Sequence, residues 1–202
     1  MPGRKPTSGD GRAMTANLTF HPLTPDRWDD LERLFGPERG ADSGCWCMFW
    51  RLRRSEFHAL GKAKRKAAFR KLVKSGAPLG ILAYAGERPI GWCALAPRAA
   101  TPGLDRSPIC KAVDEKPVWS ITCFFIEPKL RRQGVMAALV EAAAKHARRA
   151  GARIVEAYPK DTGGTRIDSA SAYMGAIEPF RACGFREVAR RRPKRPVLRR
   201  AL

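Results

Sequence analysis

No apolar run in this sequence comes near the length of a membrane span. The longest stretches, such as Ile121 to Ile126, fall far short of the roughly 20 residues a spanning helix needs. The N-terminus shows no apolar core of secretion-signal type, so the cytoplasm is the expected address. Histidine is scarce: His21, His58 and His146 stand alone. Six cysteines include Cys45 and Cys47, but no second Cys or His pair stands at zinc-ligand spacing, so no metal is assigned. Without an export signal they do not read as a disulfide scaffold either. Cys93 and Cys123, inside apolar runs, read as small buried hydrophobes. Acidic residues are also few, with 19 Asp and Glu against 39 Lys and Arg, a formal net charge of +20. Such a balance attracts polyanions, whether nucleic acid, anionic lipid or a phosphate-bearing cofactor. It suits equally a basic enzyme with no polyanion partner.

What is present points to one folded unit. The 202 residues are 44% apolar, and 18 Gly and 16 Pro are scattered. Collagen-like, mucin-like and wholly disordered classes are therefore excluded. Residues 1–16 offer almost nothing to bury and read as a disordered extension, leaving 17–202 as a single domain.

Alternation predicts a first strand from Asn17 to Pro22, and Thr24-Pro25-Asp26 then opens a helix that stops at Gly36-Pro37. A loop through Cys45 and Trp50 leads to a second helix from Ser55 to Lys74, with seven basic residues and no acidic one between Lys62 and Lys74. Two strands, Leu79 to Tyr84 and Ile90 to Ala96, form a hairpin, and 97–116 is loop. Val118 to Ile126 is apolar on both faces, as a central strand requires. An amphipathic helix runs from about Gly134 to Arg149. Arg153 to Tyr158 is the next strand and places Glu156 and Tyr158 on one face. A short helix follows near Ser171 to Ala182, then a closing strand pair. The class is α/β with a mixed central sheet flanked by helices.

Chemistry concentrates at Arg131-Arg132-Gln133-Gly134-Val135-Met136, between the buried strand and its helix. Unpaired N–H groups at a helix start favour an anion, glycine lets a phosphate approach, and the arginines add charge-assisted contacts. The run Phe125-Ile126-Glu127-Pro128-Lys129-Leu130-Arg131-Arg132-Gln133-Gly134-Val135 resembles the acetyl-CoA motif of the GNAT superfamily of N-acetyltransferases. Phe180-Arg181-Ala182-Cys183-Gly184-Phe185 resembles the aromatic-x-x-x-Gly-Phe signature that closes that fold. The resemblance implies a GNAT-like acyl-CoA N-acyltransferase fold with acetyl-CoA as co-substrate. The backbone of Phe124, Phe125 and Ile126 would pair with the pantetheine arm. Arg131 and the amides of Arg132, Gln133, Gly134, Val135, Met136 and Ala137 would hold the pyrophosphate. Two positions depart from the family pattern. Met136 replaces the last Gly/Ala, and Phe180 replaces a tyrosine that in many members protonates the departing thiolate.

Acyl transfer to an amine needs a neutral nucleophile, a polarised carbonyl and a proton for the thiolate. Glu156 reads either as a base acting through water or as a salt-bridged sheet residue. Tyr173, at the start of the last helix, is the candidate acid in place of Phe180, with Tyr158 next. Glu127 reads as a turn residue. Trp46 and Trp50 read as core or as an aromatic acceptor pocket. The expected partners are a small-molecule amine or a peptide, with nucleic acid held only non-specifically, no membrane, and a homodimer left open. Two other classes remain: a basic nucleic-acid- or ribosome-associated binding protein, and a CoA-binding module without catalysis.

Overall fold

A strand apolar on both faces needs cover on both, and the architecture supplies it. The computed structural model describes Thr15, residues 17–165 and residues 173–202. The extension expected over 1–16, Thr15 apart, and the helix start expected at Ser171 lie outside the described residues.

Seven strands form one sheet in the order β1-β2-β3-β4-β5-β7-β6. They are β1 (Leu18–Pro22), β2 (Gly80–Ala85), β3 (Arg88–Pro97), β4 (Trp119–Ile126), β5 (Ile154–Ala157), β6 (Arg186–Arg192) and β7 (Arg195–Ala201). β4 and β5 run parallel, and the other neighbouring pairs are antiparallel. One face is covered by α4 (Val135–Arg149), whose Val135, Leu139, Val140, Ala143 and Ala147 share a core with Ile81, Ile90, Ile121 and Phe124. The opposite face packs on α1 (Trp28–Phe35) and α3 (Lys62–Lys74), where Trp28, Leu31, Trp46, Phe69 and Trp92 are buried together.

The helix expected from Ser55 to Lys74 is in fact two, α2 (Arg54–Ala59) and α3. Leu60 and Gly61 between them are extended, Leu60 at φ −83°, ψ 119°. Glycine weakens a helix interior by roughly 0.5–1 kcal/mol relative to alanine, and here it serves as the boundary. The last helix, α5, spans Ile177–Ala182. Tyr173 therefore precedes it rather than opening it, because Gly175 is left-handed (φ +87°) and Ala176 extended.

Three of the seven cations on α3 are used internally. Arg65 donates to the carbonyls of Leu60 and Gly44 and stacks on Phe57, Lys66 pairs with Glu32, and Arg70 lies over Trp28. The remaining lysines offer charge without an aromatic platform. Duplex and single-strand binding, measured by filter retention or fluorescence anisotropy, should be weak, sequence-blind and lost at moderate salt. A sequence-preferring complex surviving high salt would contradict this.

Candidate active site

The sheet opens at one place. β3 pairs with β4 as far as Ile126, but β5 pairs with β4 only through Trp119, Ser120 and Ile121. Two local features explain the parting. The β3–β4 register shifts between Ala94 and Leu95, leaving Thr122 as the extra residue of a bulge, and bulges bend the strand that carries them. On the other side β5 ends at Ala157, and Pro159 two residues later has no N–H to donate to a ladder. From Thr122 onward the β5-facing edge of β4 is therefore free of β5.

Beside this split stands the start of α4. Gly134 is its N-cap at φ +83°, and Arg132 in the preceding turn is at φ +63°. Arg131 Nε donates to the Ile126 carbonyl at 2.9 Å, tying the turn to the end of β4, and Gln133 Nε2 donates to the Lys129 carbonyl at 2.8 Å. The backbone N–H groups from Arg132 to Ala137 have no backbone acceptor among the described residues. They form a concave row of donors at a positive helix end, which suits a phosphate. The fit is tight at Gly134, where a Cβ would lie 3.2 Å from the Thr15 methyl.

Glu156 and Tyr158 do share a face, at the floor of the split. Glu156 is fully buried. Its Oε1 accepts from Arg98 Nη1 at 3.0 Å and from the Tyr158 hydroxyl at 2.5 Å, and its Oε2 accepts from Arg199 Nε at 2.7 Å. Tyr158 Oη accepts in turn from Arg98 at 2.5 Å and shares a hydrogen bond with Ser120 Oγ at 3.0 Å. Arg98 also pairs with Asp105, and Arg199 with Asp114. Burial, then the Glu156 charge, push the Tyr158 phenol well above its usual range. Every member of this network is satisfied, so it is rigid. Sequence alone did not single out Arg98, in an alanine- and proline-rich segment, or Arg199, in an arginine-rich one, because nothing local marks either. The available signal was Glu156 itself, since a carboxylate on an inward strand face requires cations.

Tyr173 lies within the split. Its carbonyl accepts the Phe124 N–H at 2.6 Å, and its half-buried phenol has no hydrogen-bond partner among the described residues. Burial raises that phenol to about 12. A cavity of about 360 Å³ elsewhere, lined by His21, Asp26, Asp30, Tyr84 and Glu87, belongs to the β1–β2 end of the sheet.

A profile of the acetyltransferase (GNAT) family matches residues 46–185, more than half of the sequence. The chain belongs to the GNAT family. No curated protein matches it in sequence. Among solved structures it is similar to an agmatine N-acetyltransferase (TM-score 0.55, 11% identity, covering 92% of this chain and 100% of that one). It is also similar to the PaiA N-acetyltransferase of Thermoplasma acidophilum in complex with coenzyme A (TM-score 0.50, 11% identity, 92% and 99%). A third is the NatC complex bound to a Gag peptide and CoA (TM-score 0.51, 14% identity, 92% and 99%). At these identities the likeness concerns the fold, a mixed α/β sheet flanked by helices.

Both departures from the GNAT pattern have a structural account. The Met136 side chain is directed onto Gly175, where an added Cβ would collide with its thioether end. Phe180 is fully buried, with its ring centroid 5.8 Å from Phe124 and 5.3 Å from Phe185. Trp46 is core, stacked on Trp28 at 5.8 Å. Trp50 sits in a third cluster with Leu104, Cys110, Tyr158 and Met174, and its buried indole N–H has no acceptor among the described residues. Glu127 pairs with Arg88 at 2.6 Å, in keeping with a structural role. Cys47 takes a hydrogen bond from the Trp92 indole, and its interaction with the Cys123 thiol, followed by burial, pushes its pKa up against the opposing effect of Cys45, which disfavours a nucleophilic thiolate. No described helix is long and apolar enough to cross a membrane.

Proposed function

We propose that the chain, acting as one domain over 17–202 in the cytoplasm, transfers an acetyl group from acetyl-CoA to a primary amine by direct attack. The observation that carries this reading is the opening of β4 from β5 beside the Gly134-capped donor row. An extended amide-bearing arm can pair with the edge at Phe124, Phe125 and Ile126 as an added strand would. The amides from Arg132 to Ala137, with Arg131, suit the pyrophosphate at its far end. When bound there, acetyl-CoA supplies an acyl group activated as a thioester. The acceptor is a small-molecule amine or a peptide, classes named for two of the structural neighbours.

Within the split each side chain has a distinct task. Tyr173 donates a proton, or a strong hydrogen bond, to the departing thiolate, a role Phe180 cannot fill. Glu156 and Tyr158 are the candidates for receiving the amine's proton through water. Because the oxygens of Glu156 already accept three hydrogen bonds, its larger contribution is to hold Tyr158 and Ser120 at the floor. Release of free thiol from acetyl-CoA, assayed against polyamines, amino acids, aminoglycosides and peptides, tests the reading directly. No release with any amine, despite CoA binding, would leave a binding module without catalysis.

Tyr173→Phe should lower kcat by about 10²-fold while leaving acetyl-CoA affinity nearly unchanged. The competent phenol is the protonated one, and protonation is lost only as pH rises through about 12. The wild-type rate should therefore show no alkaline loss from this group up to roughly pH 10. Unaltered turnover in the variant would make Tyr173 a packing residue.

A further inference from the structure

The chain's own backbone lies in the split. Tyr173 to Ala176 pass between its lips, with Tyr173 and Met174 in a turn, Gly175 left-handed and Ala176 extended. On one side the Phe124 N–H of β4 donates to the Tyr173 carbonyl at 2.6 Å. On the other, Lys160 N–H donates to the Gly175 carbonyl at 2.9 Å, Ile177 N–H donates to the Lys160 carbonyl at 3.1 Å, and Lys160 pairs with Ala176 as a parallel bridge. Beyond Ile121 and Ala157, where β4 and β5 part, this segment links the two sides through those backbone bonds, in the place a strand would take.

We infer that Tyr173–Ala176 is a displaceable strand standing where the cofactor's arm must pair, with Met136 as the latch that holds it. The inference rests on the proposed cofactor reading of the β4 edge. The Phe124 N–H has one hydrogen and cannot serve both the Tyr173 carbonyl and an incoming arm. Occupation of the edge at Phe124 therefore requires the Tyr173 carbonyl to withdraw.

The attachments suit a reversible role. Only one of the backbone bonds reaches β4, and the rest go to Lys160, outside the regular strand β5. Met174, 1% exposed, is the segment's apolar anchor, packed with Leu104, Cys110, Tyr158 and Trp50. The Trp50 indole N–H in that same cluster is buried without an acceptor among the described residues, so packing around the anchor leaves one polar group unmet there. Gly175 at φ +87° lets the segment pass flat beneath the Met136 thioether, which closes over it beside Phe180.

The latch also couples two places. Met136 is the second residue of α4, so its backbone belongs to the phosphate-binding row while its side chain holds the strand. Filling the row and releasing the strand are thus linked through one residue. A binding-competent state that is only partly populated weakens apparent affinity by that fraction. Loosening the latch should then strengthen cofactor binding, the opposite of what loss of ordinary packing would do.

The test uses the full chain with coenzyme A as the ligand, followed by stopped-flow association and by methyl NMR of 13C-labelled methionine. Met136→Ala, and independently Gly175→Ala, should raise the association rate and apparent affinity for coenzyme A about tenfold. In the wild type, saturating coenzyme A should make the buried Met174 methyl accessible to a soluble nitroxide. Coenzyme A binding to the wild type with Met174 still shielded, and with neither variant faster than twofold, would overturn the strand while leaving the cofactor reading intact. Failure of wild type and both variants to bind at millimolar concentration would overturn the cofactor reading and the strand together. Binding by the variants alone would support both.

Discussion

Gly134→Val should lose coenzyme A affinity by about 10²-fold or more, equivalent to about 2.7 kcal/mol, with the far-UV spectrum retained. Gly134 caps α4 at φ +83°, ψ −9°. An ordinary L-residue in that left-handed conformation costs roughly 1–2 kcal/mol, and a β-branched one is a marked outlier. A valine would relax toward negative φ and turn the amides from Gly134 to Ala137 away from their common focus. Its methyl groups would also stand where a phosphate must approach the backbone, a place where even a Cβ lies 3.2 Å from Thr15. Gly134→Ala, with less bulk, should fall between the two. Titration calorimetry with coenzyme A gives the comparison, and near-wild-type affinity in the valine variant would remove the turn from the cofactor site.

The second large effect concerns stability. Glu156→Ala should destabilise the fold by about 3 kcal/mol, the lower end of what breaking a buried pair costs, or on the order of 10 °C in Tm for a chain of this length. Removing a fully buried carboxylate leaves Arg98 and Arg199, each only about a tenth exposed, without their shared partner, and leaves the Tyr158 hydroxyl without its acceptor. The loss stays at the low end because Asp105 still holds Arg98, Asp114 still holds Arg199, and Ser120 still reaches Tyr158. Glu141→Ala is the control. Its pairing with Arg200 is solvent-accessible, with Glu141 37% exposed, and such pairs contribute about 0–1 kcal/mol. Equal Tm values for the two variants would show that the Glu156 network does not hold the floor of the split.

The family and the sheet were legible because their signals are local. A doubly apolar strand, a glycine turn and an amphipathic helix lie consecutively between Trp119 and Arg149, and each obeys its own periodicity. The alternation that put Glu156 and Tyr158 on one face also survived folding. What eluded the sequence was non-local or set by single backbone angles. The partners of Glu156 lie 58 and 43 positions away in sequence, at Arg98 and Arg199, where no spacing rule reaches. Tyr173 was expected at the start of the last helix, yet a left-handed glycine at 175 and an extended Ala176 delay that helix to Ile177. The break at Gly61 was hidden in the same way by the strongly helical composition on either side.

The ion pairs within the fold also shape what lies outside the protein. Glu32, Asp105, Asp114, Glu127, Glu141, Glu156, Asp161 and Glu187 each already hold a lysine or arginine. These eight of the 19 Asp and Glu are thus neutralised from within, and the formal net charge of the chain is +20. A polyanionic ligand therefore meets an attractive field well before contact, one that fades over roughly 10 Å at 0.1 M salt. Ionic strength should accordingly govern how often such a ligand arrives more than how long it stays.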